Sequence, residues 1–373
     1  SSVAADIAKS RKISVAAVND IAENLSARTP ELAKQNKLID KIGYEDEYRN
    51  GIRKALKVKK GEEYNTVDIL DYVSSADMSD ILSDATDRIA IIYAQGEIMP
   101  GKGDINVVSE GAMRESLEEA RNDDAVKAIV LRVDSPGGSA LTSDIIWREI
   151  ELTKKVKPVV VSMGNLAASG GYYISCNANR IFAEPNTITG SIGVFGMLPN
   201  FTQLSEKIGI HAEQVNTHSN ASGYSVFTPL QDNTRGMIQE SIEKVYSTFV
   251  SRVAQGRKLT PAQVDSVAQG RVWTGSDAVK IGLVDELGGL DKAVAYAAKL
   301  GKTTKYTTQN YPEFKRTVEE YLSGLSGLPF AKTREQLIKE EIGEENYRVL
   351  ERIRRVNQLR GAQVILPYEI NIR

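Results

Sequence analysis

The sequence predicts an α/β fold, a mostly parallel sheet with helices on both faces, built as a tandem repeat whose first copy is truncated. From residue 88 onward, apolar runs of strand length alternate with stretches of helical spacing. Those runs are apolar almost without interruption, as strands buried on both faces must be. The repeat is the second observation. "DIAKSRKISVAAVNDIAE" (6–23) aligns with "RVAQGRKLTPAQVDSVAQ" (252–269), which sets Arg11 on Arg257 at an offset of 246. "NKLIDKIG" (36–43) aligns with "IGLVDELG" (281–288), which sets Asp40 on Asp285 at an offset of 245. The second copy closes a long domain, whereas only ten residues precede Arg11, so residues 1–57 are expected to be the closing remnant of a first domain.

Residues 58–87, polar and rich in Asp and Ser, read as a linker with one short helix at most. The second repeat spans 88–305. It opens with the strand "RIAIIYAQGEIM" and the helix "GAMRESLEEARNDDAV". "KAIVLRVDSPGG" is a strand, "SALTSDIIWREIELTKKV" a helix starting near Ser139, and "KPVVVSM" a strand leading to a helix after Ser169. "RIFAEP" continues the alternation. Residues 306–373 read as a charged, amphipathic helical extension that packs on the domain, pairs with another subunit or lies on a membrane surface.

Composition narrows the function classes. The 373 residues carry a net charge of -2, so no basic excess points to nucleic acid. One cysteine, Cys176, excludes an intrachain disulfide and a Cys-based zinc cage, and two histidines, His211 and His218, are few for a metal site. No metal or cofactor is expected, and Cys176 is read as a small apolar packing residue. No stretch approaches the roughly 20 apolar residues of a membrane span, and no signal peptide is visible. The chain begins at Ser1 without methionine, so membrane association is expected through a segment ahead of it.

Three Gly-rich stretches could carry chemistry. In "LRVDSPGGSA" a buried strand ends in two glycines, and the backbone N–H groups of Gly137 and Gly138 could face a ligand at the strand's carboxyl end. In "NLAASGGYYIS" Ser169 stands at a strand-to-helix junction. It is either an N-cap or a nucleophile, with the Gly170 N–H placed to help hold an oxyanion. Ligands of open α/β sheets collect at the carboxyl ends of strands, so the two turns form one plausible pocket. In "EPNTITGSIGVFG" Ser191, Ile192 and Gly193 either line a groove that pairs an extended peptide or form a core loop.

A serine nucleophile needs a base. "IGIHAEQV" reads as a short strand with His211 as a packing or surface residue, and neither His211 nor His218 has a carboxylate partner identifiable by spacing. Between Ser169 and Arg257 the lysines are Lys207 and Lys244, both on solvated helix faces.

"VLRVDSPGGS", "AASGGYYIS", "TGSIGVFG" and "QGRVWTGSDAVKIGLVDELGG" together resemble the signal peptide peptidase A (protease IV) family in its long, two-repeat bacterial form. The resemblance runs from about 88 to 300, with residues 1–57 similar to the end of the family's first repeat. It implies the Clp-protease/crotonase fold and a Ser/Lys dyad that cleaves remnant signal peptides and other apolar peptides. By motif, Ser169 would be the nucleophile, with N–H groups of Gly137 or Gly138 and Gly170 as the oxyanion hole. The lysine position of short members falls on Ser219. In long members the lysine comes from the first repeat, and the offset of 246 carries Ser219 to a point about 27 residues ahead of Ser1. The resemblance therefore implies that this fragment alone is inactive or nearly so. It also implies a bowl-shaped homotetramer at the bacterial inner membrane, with the catalytic part on the periplasmic side. A crotonase-like acyl-CoA enzyme and a non-catalytic scaffold or binding protein stand as alternatives.

Overall fold

The computed structural model describes residues 2–43, 45–58, 64, 66, 85–102, 107–214, 223–312 and 347, and the backbone of 363–365. The chain divides into two compact units, Ser1–Ser83 and Asp84–Arg373.

The first unit holds α1 (Ser2–Arg11), α2 (Val15–Glu23), α3 (Pro30–Gln35) and α4 (Glu45–Ala55). Ser14 and Thr29 cap α2 and α3 by accepting from Ala17 N–H and Leu32 N–H, and Pro30 supplies a preset first turn. Ala4, Ala8 and Val18 form a small core with Ile13 against it.

The second unit runs β1 (Asp87–Gln95), β2 (Glu97–Met99), β3 (Val107–Ser109), α5 (Glu110–Asn122), β4 (Val126–Ser135), β5 (Gly137–Ser139), α6 (Ala140–Lys154), β6 (Val159–Ala168) and α7 (Gly170–Ser175). It continues with β7 (Arg180–Ala183), β8 (Ile188–Gly190), α8 (Thr202–Lys207), α9 (Asp232–Arg257), α10 (Pro261–Val267), β9 (Val272–Thr274), α11 (Gly275–Lys280), β10 (Glu286–Leu287), α12 (Leu290–Leu300), β11 (Tyr306–Tyr311) and β12 (Gln363–Ile365).

The main sheet has the order β10-β7-β6-β4-β1-β11 with parallel neighbours, and β8 adds to β6 and carries β9 antiparallel. Alternate residues of the central strands serve two cores. Ala90, Ile92, Ile129, Leu131, Val133, Val161 and Met163 face a large core shared with α5, α6, α7 and α9. Ile89, Ile91, Ala128, Val130 and Val160 face a second core closed by Ala293, Val294 and Ala297 of α12. Each such fully buried Val, Leu or Ile contributes about 1.5–3 kcal/mol relative to an exposed one. Helices therefore cover both faces, which is why the strand sequences look apolar throughout.

Three regions differ from the sequence reading, one of them residues 363–365, which pair as β12 with β5 although the sequence reading placed them in the helical extension. Residues 306–311, assigned there to a helical extension, form β11, which pairs in parallel with β1 from Asp87↔Tyr306 to Ile92↔Tyr311. "YTTQNY" has β-branched and aromatic residues suited to a sheet, and the open edge of β1 supplies the backbone partners. The segment around His211 follows α8 as irregular chain, and His211 is exposed. The charged stretches 313–346 and 348–362 lie outside the described residues, as does most of the 58–87 linker.

The aligned halves of the repeat share one clamp. Arg257 donates from Nη1 and Nη2 to Asp285 at 3.0 and 2.7 Å, and from Nε to the Gly282 carbonyl at 3.0 Å. Arg11 does the same to Asp40 at 3.1 and 2.8 Å and to the Lys37 carbonyl at 2.7 Å. Lys12 and Lys258 both follow in left-handed backbone, at φ 55° and 57°. The settings differ. In the second unit Arg257 is 7% exposed and Asp285 accepts from Ile181 N–H at 2.7 Å, tying the clamp to β7. Asp40 is 87% exposed.

Both tryptophans, Trp147 and Trp273, lie in the second unit, so their fluorescence reports its unfolding. Arg257→Ala strands a partly buried carboxylate and should cost about 3 kcal/mol in urea unfolding, the lower end of what breaking a buried pair costs. Arg11→Ala should leave that transition where it is.

Candidate active site

The three Gly-rich stretches converge at the carboxyl end of the sheet. Strand β4 pairs with β6, and the register shifts between Val133 and Ser135 so that Ser135 lies opposite Ala167. Strand β8 pairs with the end of β6, Ala168 opposite Gly190. Thr189 Oγ1 donates to the Ala167 carbonyl and Thr187 Oγ1 to the Gly164 carbonyl, both at 2.7 Å, which sews β8 onto the chain leading to Ser169. Asp134 helps by accepting from Leu166 N–H at 3.1 Å.

Ser169 follows β6 at φ 53°, ψ -115°, a backbone conformation that costs a non-glycine residue about 1–3 kcal/mol. It is held by Ser169 N–H donating to the Gly190 carbonyl and by Tyr173 N–H donating to the Ser169 carbonyl, each at 2.8 Å. The side chain does not cap α7. Ser169 is 0% exposed, and its Oγ has no hydrogen-bond partner among the described residues. The N-cap reading thus fails on geometry. The strained strand-to-helix turn matches a nucleophile elbow in its backbone, but the hydroxyl is buried where such an elbow exposes it.

The elbow is pressed against the end of β4. A Cβ on Gly171 would lie 2.7 Å from the Ser135 carbonyl oxygen, so only glycine permits this approach. α7 is wholly buried. Tyr172 Oη donates to the Leu283 carbonyl and Tyr173 Oη to Asp144, each at 2.8 Å, while the Tyr173 ring meets Phe249 of α9 at 4.6 Å. Burial, followed by the Asp144 carboxylate, pushes the Tyr173 hydroxyl up, so it stays a donor. Cys176 is buried in the same core and burial pushes its thiol up to about 12, as fits a packing residue rather than a reactive one.

The "SPGG" turn is not uniform. Gly137 N–H donates to Ser135 Oγ at 3.2 Å, so it is not free for an oxyanion in this arrangement. Gly138 lies opposite Ile98 of β2, and a Cβ there would fall 2.0 Å from the Ile98 carbonyl oxygen. Ser139 caps α6 by accepting from Thr142 N–H. Beside it opens a cavity of about 490 Å³ whose lining includes Pro100, Ser139, Leu141, Ile145, Tyr173 and Val245. From the third stretch, Ser191 sits at φ 47° and donates from its N–H to the Arg271 carbonyl at 2.7 Å, and Ile192 is buried. Gly193 packs on the backbone of Gly270. These residues border the elbow, with Ser191 and Ile192 turned into the core.

No described base hydrogen-bonds Ser169 Oγ. Lys207 and Lys244 are exposed, and His218 and Ser219 lie outside the described residues. Lys157 is pulled below its ordinary value, chiefly by burial, but it precedes the amino end of β6. The ten residues of that strand separate it from Ser169 by about 30 Å. Among the described residues no cluster of three His, Cys, Asp or Glu could hold a metal.

A model for peptidase family S49 matches residues 151–304, which include Ser169 and leave the Gly137–Gly138 turn outside. A Methanocaldococcus jannaschii relative named as a protease is 35% identical over 57% of this chain and 67% of its own length. This chain belongs to peptidase family S49. Other relatives of this S49 chain are a Salmonella typhi protein named Protease 4, 38% identical over 83% of this chain, and an Arabidopsis thaliana protein named Serine protease SPPA, chloroplastic, 37% identical over 79%. The chain spans 50% and 45% of the length of those two proteins.

Removing an unpartnered buried hydroxyl relieves its desolvation cost, so Ser169→Ala should raise stability by about 1 kcal/mol in urea unfolding. A comparable loss would mean that the hydroxyl has a partner.

Proposed function

We propose that the chain is the nucleophile-bearing part of an S49 serine endopeptidase, with Ser169 attacking the carbonyl carbon of an apolar peptide. The observation that carries this reading is the Ser169 elbow: a strained, buried serine whose Oγ neither caps its helix nor meets another group. A residue type in a costly conformation with its polar atom unused points to function rather than packing. The Ser169 hydroxyl gives its proton to a base as Oγ bonds to the carbonyl carbon, and the carbonyl oxygen takes up the negative charge. In this reading the N–H groups of Gly138 and Gly170 donate to that oxyanion, with Gly137 joining only if it releases Ser135 Oγ. The leaving amine is then protonated, and water hydrolyses the ester on Ser169.

The base is proposed to be a lysine outside the described residues, carried by the other repeat in a longer protein. The proposed substrates are extended apolar peptides, cleaved signal peptides among them, which fit a Gly-rich sheet edge beside a partly apolar cavity. Homotetramer assembly and action at the periplasmic face of the inner membrane rest on the family resemblance alone. Among the described residues no helix is long and apolar enough to cross a membrane.

A fluorophosphonate should label this 373-residue chain stoichiometrically and slowly, and should leave Ser169→Ala unlabelled. Hydrolysis of an apolar fluorogenic peptide by the chain alone should not exceed the buffer rate. Absent labelling would overturn the nucleophile. Rapid hydrolysis abolished by Ser169→Ala would overturn the external base.

A further inference from the structure

Two turns make up the site, and each starts a helix. α6 begins directly after Gly137–Ser139, and α7 begins directly after Ser169. An oxyanion shared between N–H groups of both turns needs them at a fixed separation, since a displacement of about 1 Å at a reacting centre can cost about a hundredfold in rate. Asp144 joins the two helices. In the second turn of α6, its Oδ1 accepts from Tyr173 Oη of α7 at 2.8 Å and from Arg252 Nε of α9 at 3.2 Å. Tyr173 is also the residue whose N–H holds the Ser169 carbonyl. Its backbone thus fastens the elbow while its hydroxyl fastens α6.

Arg252 is itself braced. Its guanidinium carbon lies 3.7 Å from the centre of the Trp147 ring, and Trp147 stands three residues beyond Asp144 on the same side of α6. Phe249, three residues before Arg252 on α9, meets the Tyr173 ring at 4.6 Å. Side chains from three helices thereby hold the Asp144 carboxylate in place. Asp144 is 40% exposed and Arg252 31%, so their ion pair adds little stability. What the arrangement fixes is where α7 stands relative to α6.

We propose that Asp144 is a positioning residue of the Ser169 site, acting through Tyr173 to hold the nucleophile turn in place against the Gly137–Gly138 turn. The proposal rests on the reading of Ser169 as nucleophile. Because burial keeps the Tyr173 hydroxyl protonated, its bond to the carboxylate is charge-assisted and directional.

The test uses the 373-residue chain with Asp144→Ala, Asp144→Asn, Tyr173→Phe and the double variant Asp144→Ala/Tyr173→Phe. Asn keeps an acceptor for the Tyr173 hydroxyl, and Phe keeps a ring against Phe249. Fluorophosphonate labelling of Ser169 should slow about tenfold in Asp144→Ala and in Tyr173→Phe, the size expected for losing one hydrogen bond to a charged group. The double variant should be no slower than the slower single one, because both changes remove the same link. Asp144→Asn should label within about threefold of the parent chain. Deuterium exchange of amides 170–176 should quicken about tenfold in the Ala and Phe variants, with the amides of β4 unchanged.

Unchanged or faster labelling in either single variant, or effects that multiply in the double one, overturns the proposal. So does a lowered urea midpoint with labelling intact, which would make the network a matter of packing alone. Should the parent chain not label at all, the nucleophile reading falls and exchange decides by itself. Faster exchange at 170–176 then upholds the link from Asp144 to the elbow, and unchanged exchange removes it.

Discussion

Ser169 stays at φ 53°, ψ -115° only because its neighbours leave it no alternative, and most of the second unit bears on that one turn. The Gly190 carbonyl takes its N–H, and the six residues of α7 take its carbonyl into their first turn. The Ser135 carbonyl then sits where any side chain on residue 171 would collide. A single serine cannot sustain such a conformation against a cost of about 1–3 kcal/mol. Two cores and two parallel strand pairings can, because yielding at the turn would disturb β4, β6 and β8 together.

The supports reach far along the chain. Tyr172 is tied to the carbonyl of Leu283 and Tyr173 to Asp144 and Phe249, so the elbow helix is fixed by segments from three parts of the second unit. The Arg257–Asp285 clamp binds the end of α9 to β7 through Ile181. Its counterpart Arg11–Asp40 has the same internal geometry on an exposed surface. The shared hydrogen bonds are local to each copy, and what gives one of them a buried role is the sheet it meets.

Rigidity at the elbow contrasts with the edge next to it. β5 is three residues long and glycine-rich, offering backbone groups rather than side chains. Under the proposed function such an edge pairs peptides by their main chain and leaves selectivity to neighbouring space, the cavity beside Ser139. The same chemical generality lets a strand of the chain's own tail lie on it.

Much of this was legible in the sequence because it depends on local pattern. Strands buried on both faces must be apolar at nearly every position, which exposed β1, β4 and β6 as a parallel core; Ser139 marked a helix start. The repeat was legible because Arg11 and Arg257, with Asp40 and Asp285, keep their spacing. "AASGG" and "SPGG" likewise marked where backbone conformation would be unusual. Other features were decided only by tertiary structure. Whether Ser169 caps its helix or stands free is a matter of two dihedral angles fixed by Gly190 and Ser135, residues distant in sequence. That Gly137 N–H turns to Ser135 Oγ while Gly138 packs on Ile98 is invisible in two identical letters. Residues 306–311 and 363–365 became strands because unpaired edges of β1 and β5 offered them hydrogen bonds, a long-range demand that no periodicity within those segments records.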